Sequence, residues 1–329
     1  MKVLVTGGAG FIGSVVTAQL IAAGHDAIVY DNLGKGHRKA VHQKASLIVG
    51  DIGDRDRLNE VFQKNGFDAV MHFAAFIEAG ESMQLPEKYF RNNTSNALVL
   101  LETALANGVK RFVFSSTAAL YGDPERTPIC ENDRLQPTNA YGESKLLVER
   151  MLDWFHRIHG FSYASLRYFN AAGAAGTLGE AHSPESHLIP IILQVAGGTR
   201  ENICIYGTDY DTPDGTCIRD YIHVSDLASA HVLALQALQD NAEPKKLIYN
   251  LGNGRGFSVR EVIEVARKVT GHPIPAVETP RRAGDPAVLV ASSDAIKRDL
   301  GWTPQFTDLE TIVSSAWEWA QKHPEGYKE

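Results

Sequence analysis

Cysteine is scarce in this chain: three in 329 residues, Cys130, Cys204 and Cys217, an odd number with no close pair. That argues against a disulfide framework and gives no sign of a structural zinc. The twelve histidines stand at no recognised metal-ligand spacing, so no metal is expected. Nowhere do about eighteen apolar residues run uninterrupted, and the apolar part of the opening "MKVLVTGG" is too short for a secretory signal, so no membrane association or export is expected. An excess of basic charge is also lacking. With a formal net charge of −7 and the two signs interspersed, neither nucleic acid nor an anionic membrane is an expected partner. Internal repeats and low-complexity segments are missing too. What is present, 44% hydrophobic and 22% charged residues, reads as a soluble, cytoplasmic globular protein of one large domain or two smaller ones.

Short β-branched runs alternate with longer helical patterns from the start: "KVLV", "SVVTAQLIAAG", "DAIVY", "ASLIVGD", "DAVMHFAA", "NALVLLETALANG" and "RFVFSST". Fully apolar strands separated by helices predict a doubly wound parallel α/β sheet covered on both faces. Gly24, Gly108 and Gly160 each follow a helical pattern and are expected to end it. From Ala171 to Gly215 the texture becomes rich in Gly, Pro, Ser and Thr, as in segments whose loops carry binding residues. Two later helices are expected from capping boxes, Ser258 with Glu261 and Thr307 with Glu310. The division expected is a nucleotide-binding domain over 1–170 and a smaller mixed α/β domain over 171–329, with some later segments returning to the first sheet.

"VTGGAGFIGS" sets Gly8, Gly10 and Gly13 in the G-x-G-x-x-G spacing between a predicted strand and a predicted helix. Such glycines allow a tight turn and let a pyrophosphate approach the amides of a helix start. Asp31 closes the second strand, where a carboxylate would accept from the adenosine ribose and repel a 2′-phosphate, favouring NAD over NADP. Lys35, Arg38 and Lys39 lie just beyond and could receive that phosphate, or could simply be a solvated loop. Asp51 and Ile52 are expected at the end of the third strand, either edging an adenine or forming an ordinary turn.

"AYGESK" places Tyr141 and Lys145 four residues apart on a helix predicted from Asn139 to His159, hence on one face. Bringing a phenol from a pKa near 10 towards 7 takes roughly 4 kcal/mol. An ammonium at about 4 Å in an effective dielectric near 20 is worth about the same before desolvation. The pair therefore suits a general base beside a cofactor, although packing of Tyr141 with a solvated Lys145 would give the same spacing. Thr117, with Ser115 and Ser116, ends the strand "RFVFSST", where an open sheet binds its ligands. Strand-end hydroxyls also occur as plain turn chemistry.

Together these motifs resemble the extended short-chain dehydrogenase/reductase superfamily, and most closely the UDP-glucose 4-epimerases. "TGGAGFIGS", "HFAA" with "GES", "RNN", "FSSTAALYG", "AYGESK", "LRYFNAAGA", "RDYIHVSDLA", "YNLGNGRGFSV" and "RRAGDPA" stand in family order over essentially the whole chain. The resemblance implies Thr117, Tyr141 and Lys145 as the catalytic triad. It implies NAD contacts from Gly7, Gly10, Phe11, Ile12, Gly13, Asp31, Asn32, Asp51, Ile52, Phe73, Ala74, Ala75, Asn93, Ser115, Tyr141, Lys145 and Tyr168. It further implies a UDP-sugar site using Thr117, Tyr141, Asn170, His187, Leu188, Cys204, Tyr206, Arg219, Arg282 and Asp285. Two arginines suit a diphosphate, an aromatic ring suits uracil, and a carboxylate suits ribose hydroxyls.

Three departures from the family pattern stand out. Ile77 and Glu78 stand where a lysine is common, and His187 stands where asparagine is common. Leu289, between tyrosine and cysteine in bulk, is expected to gate the sugar 2-substituent. A dehydratase is disfavoured because Ala118 and Ala119, not an Asp-Glu pair, follow Thr117. Epimerases of UDP-N-acetylglucosamine, UDP-glucuronate or UDP-xylose share most of these residues, and a non-catalytic NAD-binding regulator is the reading from another class. The family also implies a homodimer formed through the "AYGESK" helix.

Overall fold

The computed structural model describes residues 1–239, 243–282 and 285–328. Ala283 and Gly284 of the "RRAGDPA" motif lie outside the described residues.

The first half of the chain runs β1 (Lys2–Thr6), α1 (Phe11–Ala22), β2 (Asp26–Asp31), β3 (Ser46–Val49), α2 (Arg55–Asn65) and β4 (Ala69–His72). Two single turns, α3 (Ala79–Ser82) and α4 (Pro86–Tyr89), lead through a π-helical stretch, Phe90–Ser95, into α5 (Asn96–Ala106). Then come β5 (Arg111–Thr117), α6 (Ala140–His159), β6 (Ser162–Tyr168) and β7 (Asn170–Ala172). The remainder comprises α7 (Leu188–Ala196), β8 (Ile203–Tyr206), β9 (Ile218–His223), α8 (Val224–Ala237), β10 (Lys246–Leu251) and β11 (Gly256–Ser258). It closes with α9 (Val259–Thr270), β12 (Ala276–Thr279), β13 (Val288–Leu289), α10 (Asp294–Leu300) and α11 (Leu309–Lys322).

Seven strands form one parallel sheet in the order β10-β6-β5-β4-β1-β2-β3, the doubly wound arrangement predicted from the apolar runs. Period-two alternation splits its core. Val3 and Val5 of β1 face a cluster with Val15, Leu20, Leu227 and Trp302, contributed largely by α1 and α8. Leu4, between them, faces the opposite cluster with Leu58, Phe62, Leu100 and Leu152 from α2, α5 and α6. β10 and α8 return to this sheet from the later part of the chain. β9 pairs with β7, β11 and β13, while β8 pairs with β12. A third core, including Ile192, Val262, Ile263, Ile312 and Val313, packs α7, α9 and α11 over these small sheets.

Gly24, Gly108 and Gly160 follow α1, α5 and α6 with positive φ, as expected. The Ser258–Glu261 capping box opens α9 in both directions. The second box is not formed. Asp308, not Thr307, caps α11, its carboxylate accepting from Thr311 N at 2.7 Å, so the helix starts at Leu309. Aspartate is at least as good an N-cap as threonine, and one step of register decides between them. β3 ends at Val49, so Asp51 and Ile52 follow it by two and three residues rather than lying in it.

Candidate functional site

The strand order reverses direction between β1 and β4, and the space beyond the carboxyl ends of the strands there is where such sheets bind ligands. A cavity of about 590 Å³ opens at this place. Its floor is the turn from β1 to α1. Gly7 has φ +73°, and a Cβ on it would lie 2.5 Å from Ala74 N; a Cβ on Gly13 would lie 2.2 Å from Gly7 O. Glycine is therefore required for the turn to close. A Cβ on Gly10 would touch only Gly7 O, at 3.3 Å, and would otherwise project into open space. Gly10 is also the N-cap of α1 and offers no capping side chain. The first-turn amides at Phe11 and Ile12 thus face a cavity wall able to take a phosphate. These features fit a dinucleotide pyrophosphate.

Asp31, at the end of β2, is buried, which pushes its carboxyl up; its oxygens accept from Leu33 N at 2.8 Å and Ala9 N at 3.0 Å. Asn32 donates to Asp51 at 2.9 Å, tying two cavity-lining residues together. Ile52, Phe73, Ala74, Ala75, Ser115, Thr117, Tyr141, Lys145, Tyr168 and Asn170 line the same cavity. Asn93 does not. It is 1% exposed, its amide exchanges hydrogen bonds with the backbone of Phe76 and donates to Ser144 at 3.1 Å, so it braces the wall from behind. The π-helical stretch around it, which the sequence did not reveal, sets this orientation.

Asn139 caps α6 through Gly142 N at 2.8 Å and so fixes the first turn carrying Tyr141. Burial raises the Tyr141 phenol above its ordinary value, and a hydrogen bond with Thr117 opposes this. The expected acidification by Lys145 is not found in this arrangement. Lys145 is itself buried, which lowers its pKa to about 7, and its ammonium donates to the Ser115 carbonyl at 2.9 Å. Desolvation is the largest cause of both shifts. Burial likewise raises Tyr168, whose hydroxyl bonds Ser115. Behind the site, Arg167 and Glu149 form a buried pair at 2.6 Å, and Ser116 donates to the same carboxylate at 2.6 Å, locking α6 to β5 and β6.

The residues read as the sugar-nucleotide site fall into two groups. Asn170 and His187 reach the cavity just described. Tyr206, Arg219, Arg282 and Asp285 gather elsewhere: Arg282 donates to Asp285 at 2.9 Å and lies 4.7 Å from the Tyr206 ring centre, and Arg219 stands 3.8 Å from Asp285. Cys204 is half-buried two residues before Tyr206 in β8, and Leu188, first residue of α7, packs on the third core. Leu289 in β13 is paired with Arg219 and packs against a cluster that includes Ala118 and Phe169. Leu289 therefore bridges the arginine group and the cavity wall.

Tyr30, Phe76, Ile77, Phe169, Glu180 and His182 also line the cavity, and the sequence reading did not pick them as site residues. Glu180 and His182 join Glu185 and His187 in one cluster. The spacing of its two histidines matched no familiar motif. Burial works against both charges here, but the imidazoles hold Glu180 well below the ordinary carboxylate range, and the carboxylates hold His187 well above the ordinary imidazole value.

The model of the NAD dependent epimerase/dehydratase family matches residues 3–252. A UDP-glucose 4-epimerase of Halalkalibacterium halodurans is 53% identical over 329 residues, covering 99% of this chain and 98% of the relative. One from Streptomyces lividans is 54% identical, covering 99% and 98%. Among solved structures, UDP-glucose 4-epimerase from Brucella ovis in complex with NAD superposes with a TM-score of 0.93 at 45% identity, covering 96% of this chain and 97% of that one. The UDP-Glc/GlcNAc 4-epimerase of Campylobacter jejuni gives 0.85 at 44% identity, covering 98% and 99%.

Proposed function

The chain belongs to the NAD dependent epimerase/dehydratase family, and from that premise we propose that it interconverts UDP-glucose and UDP-galactose with tightly bound NAD, as a step of galactose metabolism. The observation that carries the reading is the convergence of Thr117, Tyr141 and Lys145 on the cavity whose floor is the glycine turn. In this reading residues 1–170 form the NAD domain and 171–329 the sugar-nucleotide domain, with β10 and α8 returning to the first sheet. Gly7, Gly10, Phe11, Ile12 and Gly13 hold the pyrophosphate, and Asp31 and Asn32 hold the adenosine ribose. Asp51 and Ile52 bound the adenine, and Phe73, Ala74, Ala75, Ser115 and Tyr168 complete the wall. Asn93 supports the site through Phe76.

Bound NAD supplies an acceptor that takes a hydride from the sugar and returns it. The protein's own residues handle the proton and the geometry. Tyr141 removes the proton from the 4-hydroxyl, Thr117 hydrogen-bonds that oxygen as it becomes a carbonyl, and Lys145 shares the charge left on Tyr141. Arg219 and Arg282 take the diphosphate, Tyr206 faces the uracil, and Asp285, which already orders both guanidiniums, accepts from the ribose. Cys204, Leu188, His187 and Asn170 complete the substrate wall. Held chiefly by its nucleotide, the 4-keto sugar can turn its other face to the hydride donor, which inverts C4.

Proton NMR of the purified protein, without added cofactor, tests this with UDP-glucose and UDP-N-acetylglucosamine in separate tubes. Appearance of the galacto anomeric signal from UDP-glucose is expected. Conversion of both sugars would make Leu289 a permissive gate, and failure with both would point to uronic or pentose nucleotides. The protein is further proposed to be a cytoplasmic homodimer, supported by exposed Trp154 and Ile158, 61% and 66% accessible, one turn apart on α6.

A further inference from the structure

Four side chains from one eight-residue segment converge where β7 leads towards α7. Glu180, His182, Glu185 and His187 each supply one ligand-type atom, all within 4.8 Å of one another. His187 Nδ1 lies 2.7 Å from Glu180 Oε1 and 2.9 Å from Glu185 Oε1, and His182 Nδ1 lies 3.0 Å from Glu180 Oε1 and 3.9 Å from Glu185 Oε2. A tetrahedral zinc ion with nitrogen and oxygen ligands at about 2.0–2.1 Å sets those atoms about 3.3 Å apart. These four separations straddle that value, and with no pair of ligand atoms beyond 4.8 Å, closing the widest edge to a tetrahedron takes about 1.5 Å, shared between two side chains.

Charge points the same way. The two carboxylates are only 7% and 4% exposed, and among the described residues their ion partners are these imidazoles. Nearby Lys35 turns its ammonium instead to the Ser183 carbonyl and to Glu78. Without a metal, protonated imidazole and the amides of Ser186 and His187, which donate to Glu185 Oε1 at 2.7 and 2.8 Å, offset these carboxylates. One divalent ion with two neutral imidazoles would do the same and leave the set uncharged. Mixed imidazole and carboxylate donors suit zinc and its neighbours rather than calcium or magnesium.

We propose that Glu180, His182, Glu185 and His187 form a structural site for a zinc-class divalent ion, with all four positions filled by the protein. The site would tie both ends of the segment together and fix the start of α7, whose N-cap, His187, makes no side-chain capping bond. With no position left for water, the ion would shape the cavity rim rather than join the hydride transfer. This inference goes beyond the epimerase reading, and it is read out by metal binding rather than by turnover.

The test uses untagged holoenzyme stripped with a chelator and dialysed against zinc alone, with metal counted by mass spectrometry. One equivalent per chain is expected, together with a higher melting temperature. Cobalt in its place should give the intense visible bands of a tetrahedral centre. His182→Gln and Glu185→Gln should each weaken zinc binding by about 100-fold and lose the thermal gain. Tyr141→Phe should bind zinc as the wild type does, whatever happens to its turnover. Uptake far below one equivalent, or full uptake unchanged in both variants, would overturn the proposal. If neither variant folds, the cobalt spectrum of the wild type decides, and six-coordinate or absent bands reject the site.

Discussion

Tyr141 sits in an environment that keeps its proton, because burial raises its pKa and Lys145, lowered to about 7, is only partly charged at neutral pH. A positively charged nicotinamide ring beside them would favour the phenolate, so the base is strongest when an oxidised cofactor is in place. Tyr141→Phe is expected to reduce epimerisation by about 10²–10⁴-fold while the NAD content of the purified protein stays the same. Near-normal turnover in that variant would remove Tyr141 from the mechanism. Lys145 carries a stability consequence of definite sign. Its folded pKa is below its unfolded value, so the unfolded chain binds the extra proton, and the penalty is full below about pH 7 and fades as pH rises towards 10.5. Lys145→Met should therefore lose activity yet melt higher than the wild type, with a larger gain at pH 6 than at pH 9. An equal gain at both values would show that the ammonium is not buried as described.

At the scale of elements, the corrected start of α11 gives a direct comparison. Asp308→Ala should cost about 1 kcal/mol of stability in denaturant unfolding, whereas Thr307→Ala should cost a few tenths at most. The reverse order would restore the capping box read from the sequence. That error and the sequence's successes have the same origin. Patterns whose cause lies within a few residues were legible: apolar strands, the glycine turn after β1, the box at Ser258, and the helix carrying Tyr141 and Lys145. The single turns α3 and α4 and the π-helical stretch were not, because their short polar segments take their shape from what they pack against. Ser82 Oγ accepts from Tyr141 N at 3.1 Å, and Asn93 reaches Ser144, so these turns are defined by α6. The same reasoning explains the ligand-type cluster before α7, since no periodicity announces that the two ends of a loop meet. Arg167 and Glu149, far apart in sequence, likewise find each other only through the sheet.

At the scale of the whole molecule, two groups of site residues are supported by different cores. The glycine turn and the Tyr141 helix rest on the seven-stranded sheet, and the Tyr206 and Arg219 strands rest on the small sheets packed by α7, α9 and α11. Leu289 links them through its pairing with Arg219. Association in solution is a separate matter. If the proposed dimer forms through α6, replacing Trp154 and Ile158 together, by Trp154→Glu and Ile158→Asp, should shift the light-scattering mass from dimer to monomer. A mass unchanged by the double substitution would move the interface away from α6. The position of β10 in the sheet bears on how the chain is made. The strand that covers β6 comes from residues 246–251, after the small sheets have begun. During synthesis, at roughly 5–20 residues per second, a nascent chain that has already produced β6 waits several seconds with that edge unpaired. A bare parallel edge is a template for foreign strands, so this interval is when a holding chaperone would matter most, and a chain cut near residue 170 would keep that edge permanently.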